Sequence, residues 1–141
     1  MTLATDNPAL AELARERLQH AVAYLATVRA DGSPRLHPVF PVITSDGVYV
    51  FMEPTSPKRH DLLRDPRYAL HAGVEDNDGG NGELAATGTA RPVTDPSLRA
   101  TVASATTRER WVLFALEVQR VTAKRYAADG RPDTVTWPSA V

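Results

Sequence analysis

The stretch that decides the fold is YLATVRADGSPRLHPVFPVITSDGVYVFME, residues 24–53. It contains three runs rich in β-branched, aromatic and aliphatic residues, at 24–29, 34–43 and 48–53. An Asp-Gly pair lies in each gap between these runs, and Asp-Gly between apolar runs is typical of a tight hairpin turn. The stretch therefore predicts three consecutive antiparallel strands.

The second of these strands is interrupted by proline. Pro38 and Pro41 have no backbone N–H and cannot donate to a strand ladder. A bulge or a local sheet edge is therefore predicted within residues 34–43, and such interruptions accompany sites where another molecule meets the backbone.

Three further strands are expected downstream, at 67–74, 83–93 and 110–126, where apolar residues alternate or run together. Six antiparallel strands with few helices favour a mainly β fold, a small closed β-barrel, with a β-sandwich as the alternative. The length of 141 residues is usual for one domain, so residues 1–141 are expected to form a single domain.

Three pairs of residues have the pattern of a helix start, in which a capping side chain is followed by proline at the first helical position. The pairs are Asn7-Pro8, Ser56-Pro57 and Asp95-Pro96. They predict an N-terminal helix within residues 1–20, a central helix that ends at Asp65 before Pro66, and a short helix to about Ala105. Residues 129–141 are expected to form a polar C-terminal tail.

Apolar side chains occupy both faces of several predicted strands. Tyr49 and Phe51 on one strand, and Trp111 and Leu113 on another, are expected on the outer side of the barrel. They predict either a homodimer interface or a helix of the same chain that covers them.

Composition excludes several classes of function. The net charge is −1, with 16 basic and 17 acidic residues, so no global field would attract nucleic acid or an anionic membrane. There is no cysteine, which excludes disulfides and thiolate metal sites and agrees with a cytoplasmic location. The first residues have no pattern of a secretory signal, and charged residues interrupt every apolar run, so no membrane span is expected.

The central helix predicts an anion site. Lys58 and Arg59 fall in its first turn, where cations are disfavoured by about 0.3–1 kcal/mol each unless a negative group is present. Free backbone N–H groups at a helix start, together with Lys and Arg, suit a phosphate. A solvated basic helix start is the alternative.

Other ligand signals in the chain are weaker. The acidic loop at residues 75–82 lacks the spacing of a calcium loop and is interpreted as a hairpin loop. The four histidines, His20, His37, His60 and His71, have no metal-ligand spacing, so no metal site is expected. His37 is the one candidate for a catalytic acid, because its ordinary pKa lies near neutrality, and a hydrogen bond within the barrel is its alternative role.

Five segments taken in order resemble the pyridoxamine 5'-phosphate oxidase-like family of flavin-binding split barrels. The segments are LATVRADGSP (25–34), RLHPV (35–39), VYVF (48–51), SPKR (56–59) and LLRDPR (62–67). The resemblance implies a six-stranded antiparallel split barrel that forms a homodimer. It also implies FMN, or the deazaflavin F420, bound in two equivalent clefts between the subunits.

The resemblance assigns roles to individual residues. By position, Lys58 matches the phosphate-binding lysine of the family, with Ser56 beside it and Arg59 as a second cation. Segments of the second and third strands match those that run beside the flavin ring. The implied cofactor-binding residues are Arg35, His37, Pro38, Val39, Phe51, Met52, Ser56, Lys58 and Arg59.

The function implied by the resemblance is an FMN-dependent oxidoreductase acting on a small organic substrate. An F420-dependent reductase and a non-catalytic flavin- or haem-binding protein are the alternatives. The chain lacks the C-terminal arginine motif with which true pyridoxamine phosphate oxidases hold their substrate phosphate, so that reaction is not expected.

Overall fold

The structure is a computed structural model that describes residues 2–19, 21–76 and 82–139. Within these residues the helices are α1 (Leu3–Asp6), α2 (Pro8–Leu18), α3 (Pro57–Arg64) and α4 (Pro96–Val102). The strands are β1 (Ala23–Val28), β2 (Pro34–Val39), β3 (Val42–Ile43), β4 (Val48–Met52), β5 (Arg67–Ala72), β6 (Glu83–Pro92), β7 (Val112–Tyr126) and β8 (Pro132–Trp137).

All strands belong to one curled antiparallel sheet. The order is β2-β1-β5-β6-β7-β4-β3, with β8 paired to the second half of β7. This confirms the mainly β class and the barrel-like architecture. No helix among the described residues is long and apolar enough to cross a membrane.

The sheet contains eight strands, and the expected number of six was wrong for two reasons. The predicted strand at 34–43 divides into β2 and β3, which pair with β1 and β4 respectively. Buried Pro41 lies between them, where a residue without an N–H cannot continue a ladder. The predicted edge is therefore real, since β2 and β3 lie at the two ends of the strand order.

The second reason is the C-terminal tail, which is a strand. Residues 132–137 pair with Val121–Tyr126 of β7 as β8. The turn before it has the same Asp-Gly chemistry as the first hairpins, and Gly130 has a φ of 82°. Glycine accepts this conformation without the steric cost of a Cβ atom.

The N-terminal helix predicted within residues 1–20 is divided in two, because Asn7 ends α1 and caps α2. The Asn7 side chain accepts a hydrogen bond from the Leu10 amide at 3.1 Å. Leu10 and Leu18 of α2 are each 3 % exposed and join the barrel core. The predicted loop at 75–82 falls largely outside the described residues, which omit 77–81.

Helix α4 covers the outer face of β4 and β7. Tyr49, Leu113 and Ala115 are buried in a second cluster with Val102 of α4, and Phe51 and Leu98 pack against this cluster. The sequence predicted either a homodimer interface or a covering helix for these apolar faces. A covering helix is observed for Tyr49, Phe51 and Leu113.

Candidate functional site

The first half of the candidate site comes from the inner face of β2. Arg35 lies opposite buried Thr27 of β1, and His37 lies opposite buried Leu25. Directly opposed residues share one face of a sheet, so both side chains point to the inside of the curl. Leu36 alternates with them and is 68 % exposed on the outside.

The second half is the start of α3. Ser56 is the N-cap residue, but its side chain makes no capping hydrogen bond, contrary to the expectation for this position. Its hydroxyl accepts a hydrogen bond from Lys58 Nζ at 3.0 Å instead. Pro57 has no N–H, and the amides of Arg59 and His60 donate to the Ser56 carbonyl at 3.0 and 3.5 Å. Among the described residues the Lys58 amide has no acceptor, and an unpaired amide at a helix start attracts an anion.

Lys58 is held partly out of water without a compensating charge. Burial lowers the pKa of its ammonium group. Among the described residues no carboxylate forms an ion pair with Lys58. A partly buried cation at the positive end of a helix is unfavourable unless a negative group completes the site.

His37 lies in the positive field of this cluster. Its pKa is lowered first by burial and then by the charges of Lys58 and Arg35. Asp61 acts in the opposite direction but does not reverse the shift. The lowered pKa therefore favours the neutral form of His37 at neutral pH.

Asp61 links the two halves. Asp61 is 2 % exposed, and its carboxylate accepts hydrogen bonds from Thr27 Oγ1 and Arg35 Nε, both at 2.7 Å, on the same oxygen. The other oxygen accepts from Arg64 Nη2 at 3.1 Å. Burial raises the pKa of Asp61, but these hydrogen bonds outweigh burial and hold it below the usual value.

The anion site is defined here as the side chains of Arg35, His37, Ser56 and Lys58 together with the backbone amide of Lys58. Its groups are an ammonium, a guanidinium, an imidazole, a hydroxyl and one unpaired N–H, and none is acidic. This donor set fits a phosphate monoester, which carries about two negative charges near pH 7.

A family model described as pyridoxamine 5'-phosphate oxidase matches residues 9–136, which is most of the chain. The chain belongs to the pyridoxamine 5'-phosphate oxidase family. None of the curated proteins matches the chain in sequence.

Solved structures similar to this family member share its fold. A haem-binding protein from Mycobacterium smegmatis has a TM-score of 0.69 and 21% identity, covering 92% of this chain and 59% of its own. The haem storage protein of Vibrio cholerae has a TM-score of 0.63 and 20% identity, covering 80% and 89% respectively. An F420 reductase has a TM-score of 0.61 and 17% identity, covering 76% and 94%.

The family's expected site residues do not all come together as side chains. Val39 and Met52 are buried in the barrel core, at 5% and 3% exposure. Phe51 lies under α4, with the Arg99 guanidinium 5.2 Å from its ring centroid. Arg59 donates to the Pro54 carbonyl at 3.1 Å and so supports the loop before α3. Pro38 is exposed on the outside of β2.

Asp61 and Thr27 were missed by the sequence reasoning. In the sequence, Thr27 has the pattern of an ordinary strand residue, and Asp61 is one of several charged residues on a polar helix. A weak signal existed, because Asp61 and Arg64 are an oppositely charged pair three residues apart on a helix. The other partners of Asp61, Arg35 and Thr27, are 26 and 34 residues away in sequence, beyond the reach of any local pattern.

The described residues contain no group of three or more His, Asp or Glu side chains that could hold a metal ion. His60 is exposed, and His71 Nδ1 lies 2.6 Å from the Ala72 carbonyl. His20 lies outside the described residues.

Proposed function

We propose that this chain binds FMN through its phosphate at the anion site and is an FMN-dependent oxidoreductase acting on a small organic substrate. The observation that carries the proposal is Lys58, a partly buried cation that has no carboxylate partner among the described residues and lies at a helix start without a side-chain cap. A phosphate there would supply the missing negative charge and the missing cap together.

The residues of the chain would divide the work of binding. Lys58, through its ammonium and its backbone amide, and Ser56 would hold the phosphate, and Arg35 would add a second cation. In its neutral form, which the lowered pKa favours, His37 carries a proton on one ring nitrogen and can donate it as a hydrogen bond. Bound FMN supplies the hydride- and electron-transfer chemistry, and the protein supplies placement and electrostatics.

Two open strand edges support a role for main-chain groups beside the ring. β2 has β1 as its only strand partner among the described residues. On the side of β4 that faces β3, the described residues pair with Val48 and Tyr49 only, so Val50–Met52 have no strand partner from that part of the chain. Main-chain groups of Pro38, Val39, Phe51 and Met52 are therefore better candidates for ring contacts than their side chains.

An F420-dependent reductase is the second candidate. The observation in its favour is additional positive charge next to the anion site, because Arg29 also lowers the pKa of His37. The acidic tail of F420 would be attracted by such charge. An F420 reductase is among the proteins with the same fold.

The partner we propose is a second copy of this chain. Phe40 and Leu36 are 70 % and 68 % exposed, and Tyr24 beside them is 44 % exposed. Tyr24 pairs with Pro38, so these side chains form one apolar patch on the outside of β1 and β2. Exposed apolar patches of this kind mark protein interfaces.

The homodimer is tested by light scattering of the wild type and of Phe40→Glu. We expect a dimer for the wild type and a monomer for Phe40→Glu, because the charge would be buried at the interface. Val135→Glu is the matched control, since Val135 is 42 % exposed on a distant strand, and it should remain dimeric. A wild-type monomer, or a dimer in both variants, would contradict this interface.

The cofactor is tested by titrating the purified protein with FMN, riboflavin, F420 and haem at matched ionic strength. The phosphate preference is defined as the Kd for riboflavin divided by the Kd for FMN, since the two differ only in the phosphate. We expect one FMN per subunit and a phosphate preference of about tenfold or more. If F420 or haem bound more tightly than FMN, that ligand would take the place of FMN in the proposal. Sustained turnover of the bound ligand with a reductant would then indicate an enzyme, and binding without turnover a storage protein.

A further inference from the structure

We propose that Asp61 is the positioning residue of the anion site. It accepts a hydrogen bond from Nε of Arg35 and leaves the two terminal nitrogens, Nη1 and Nη2, for the ligand. This inference rests on the proposed function and names a residue that the site itself does not contain. Asp61 would not touch the phosphate but would act through Arg35.

The geometry of the contact carries the proposal. Asp61 Oδ2 accepts from Arg35 Nε at 2.7 Å. No other hydrogen bond from the Arg35 side chain to a described residue is present, so Nη1 and Nη2 have no protein acceptor there. The Arg35 side chain is 21 % exposed, which leaves its outer end open to a ligand. Two parallel N–H groups of this kind match two phosphate oxygens.

Asp61 also fixes the elements that supply the donors. The carboxylate lies on α3, and its bond to Thr27 joins that helix to β1. Arg64 donates from one nitrogen to Asp61 and to the Val28 carbonyl, both at 3.1 Å. Together with Arg35 on β2, these bonds hold α3 and both strands of the first hairpin at one buried point.

If Asp61 had a purely electrostatic role, its removal would change the strength of phosphate binding in the opposite direction. If Asp61 served only as a counter-charge, removing it would raise the positive potential and strengthen phosphate binding. If it positions Arg35, removing it frees the guanidinium and weakens phosphate binding despite the added positive charge. The phosphate preference distinguishes the two roles.

The experiment compares Asp61→Ala with Asp61→Asn, which remove the same charge. Asn keeps one acceptor oxygen for Arg35 Nε, whereas Ala keeps none. We expect the phosphate preference to fall by about fivefold or more in Asp61→Ala and to be partly restored in Asp61→Asn. Equal values in the two variants, or a preference above that of the wild type, would overturn the proposal.

Asp65→Asn is the matched control, because Asp65 is the C-cap of α3, the helix that contains Asp61. Asp65 is also bonded by an arginine, since Arg67 Nη2 donates to it at 2.7 Å, but this pair is exposed. The phosphate preference of the Asp65→Asn variant should equal that of the wild type. An equal drop in Asp65→Asn would indicate a general effect of charge and not of position.

A double-mutant cycle separates positioning from simple stabilisation of the fold. In an Arg35→Ala background, Asp61→Ala should have no further effect on the phosphate preference, because the residue it acts through is gone. A loss of the same size in both backgrounds would overturn the proposal.

Arg35→Lys keeps the test decisive if Asp61→Ala does not fold. This variant keeps the positive charge and a donor for Asp61, but it lacks the two terminal nitrogens. We expect a drop of about fivefold or more in the phosphate preference. An unchanged preference in Arg35→Lys would overturn the proposal, whereas a wild type without any phosphate preference would overturn the proposed function and this inference together.

Discussion

Lys58→Ala should affect ligand binding and stability in different ways, and this difference separates a binding lysine from a structural one. A charge-assisted hydrogen bond to phosphate contributes about 1.5–3 kcal/mol, which corresponds to about a 10- to 150-fold change in Kd. We therefore expect the phosphate preference to fall by at least about tenfold.

The expected effect on the free energy of unfolding is limited because opposing contributions offset each other. The variant loses the bond from Lys58 Nζ to Ser56 Oγ at 3.0 Å. A bond with a charged donor contributes about 1.5–3 kcal/mol. Removal of a cation from the positive end of α3 restores about 0.3–1 kcal/mol, and the burial of the ammonium group is also relieved. The ligand-free protein should therefore lose no more than about 2 kcal/mol of stability.

The assays are fluorescence titration with FMN and riboflavin, and urea unfolding of the ligand-free protein. Lys124→Ala is the matched control, because Lys124 lies on β7 in the pairing with Glu83, away from the anion site. It should keep the wild-type phosphate preference. A loss of more than about 2 kcal/mol of stability in Lys58→Ala with an unchanged phosphate preference would refute the reasoning, since a contact within the fold would then explain the lysine.

Three further predictions concern the fold. Gly88→Ala should lose about 2 kcal/mol or more in urea unfolding, because its Cβ would lie 1.8 Å from the Glu117 carbonyl oxygen; Gly47→Ala, whose Cβ meets the movable end of a tyrosine side chain at 3.1 Å, should lose less than half as much. Asn7→Ala should lose about 1 kcal/mol by thermal unfolding through the lost cap of α2, and an unchanged Tm would contradict the cap. The pKa of Glu53 is lowered to about 2 by hydrogen bonds from an arginine and a tryptophan, so its stabilising effect is complete above the ordinary value of 4.5 and is lost as the pH falls toward 2. Glu53→Gln should therefore be less stable than the wild type at pH 7, and the difference should narrow across that window; a constant difference would contradict the assignment.

Several features of the fold were predictable because their causes are local. The Asp-Gly turns determine the hairpins between β1 and β2 and between β3 and β4, and proline at the first helical position marks the start of three helices. Pro41 was recognised as an interruption, but its consequence depends on which strands lie on either side. The same Asp-Gly signal at residues 129–130 indicates the hairpin to β8, and its polar surroundings obscured it.

The sequence did not predict which element packs on the outer face of β4. The alternation of Tyr49 and Phe51 shows that both faces of β4 are apolar, and it does not show whether a helix or a second chain covers them. The answer is the position of α4, more than 40 residues later in the chain, packed on this face through Leu98 and Val102.

The sequence by itself determined the hairpins from β1 to β2 and from β3 to β4, the starts of α2, α3 and α4, and the basic first turn of α3, because turn chemistry and capping act between residues a few positions apart. Only the tertiary structure decided that His37 lies within the electrostatic reach of Lys58 and Arg35, and that Asp61 is buried among donors from three elements. These contacts depend on how the curled sheet brings distant segments together. A buried carboxylate has the same local sequence signature as a solvated one, so its role emerges only when its partners are in place.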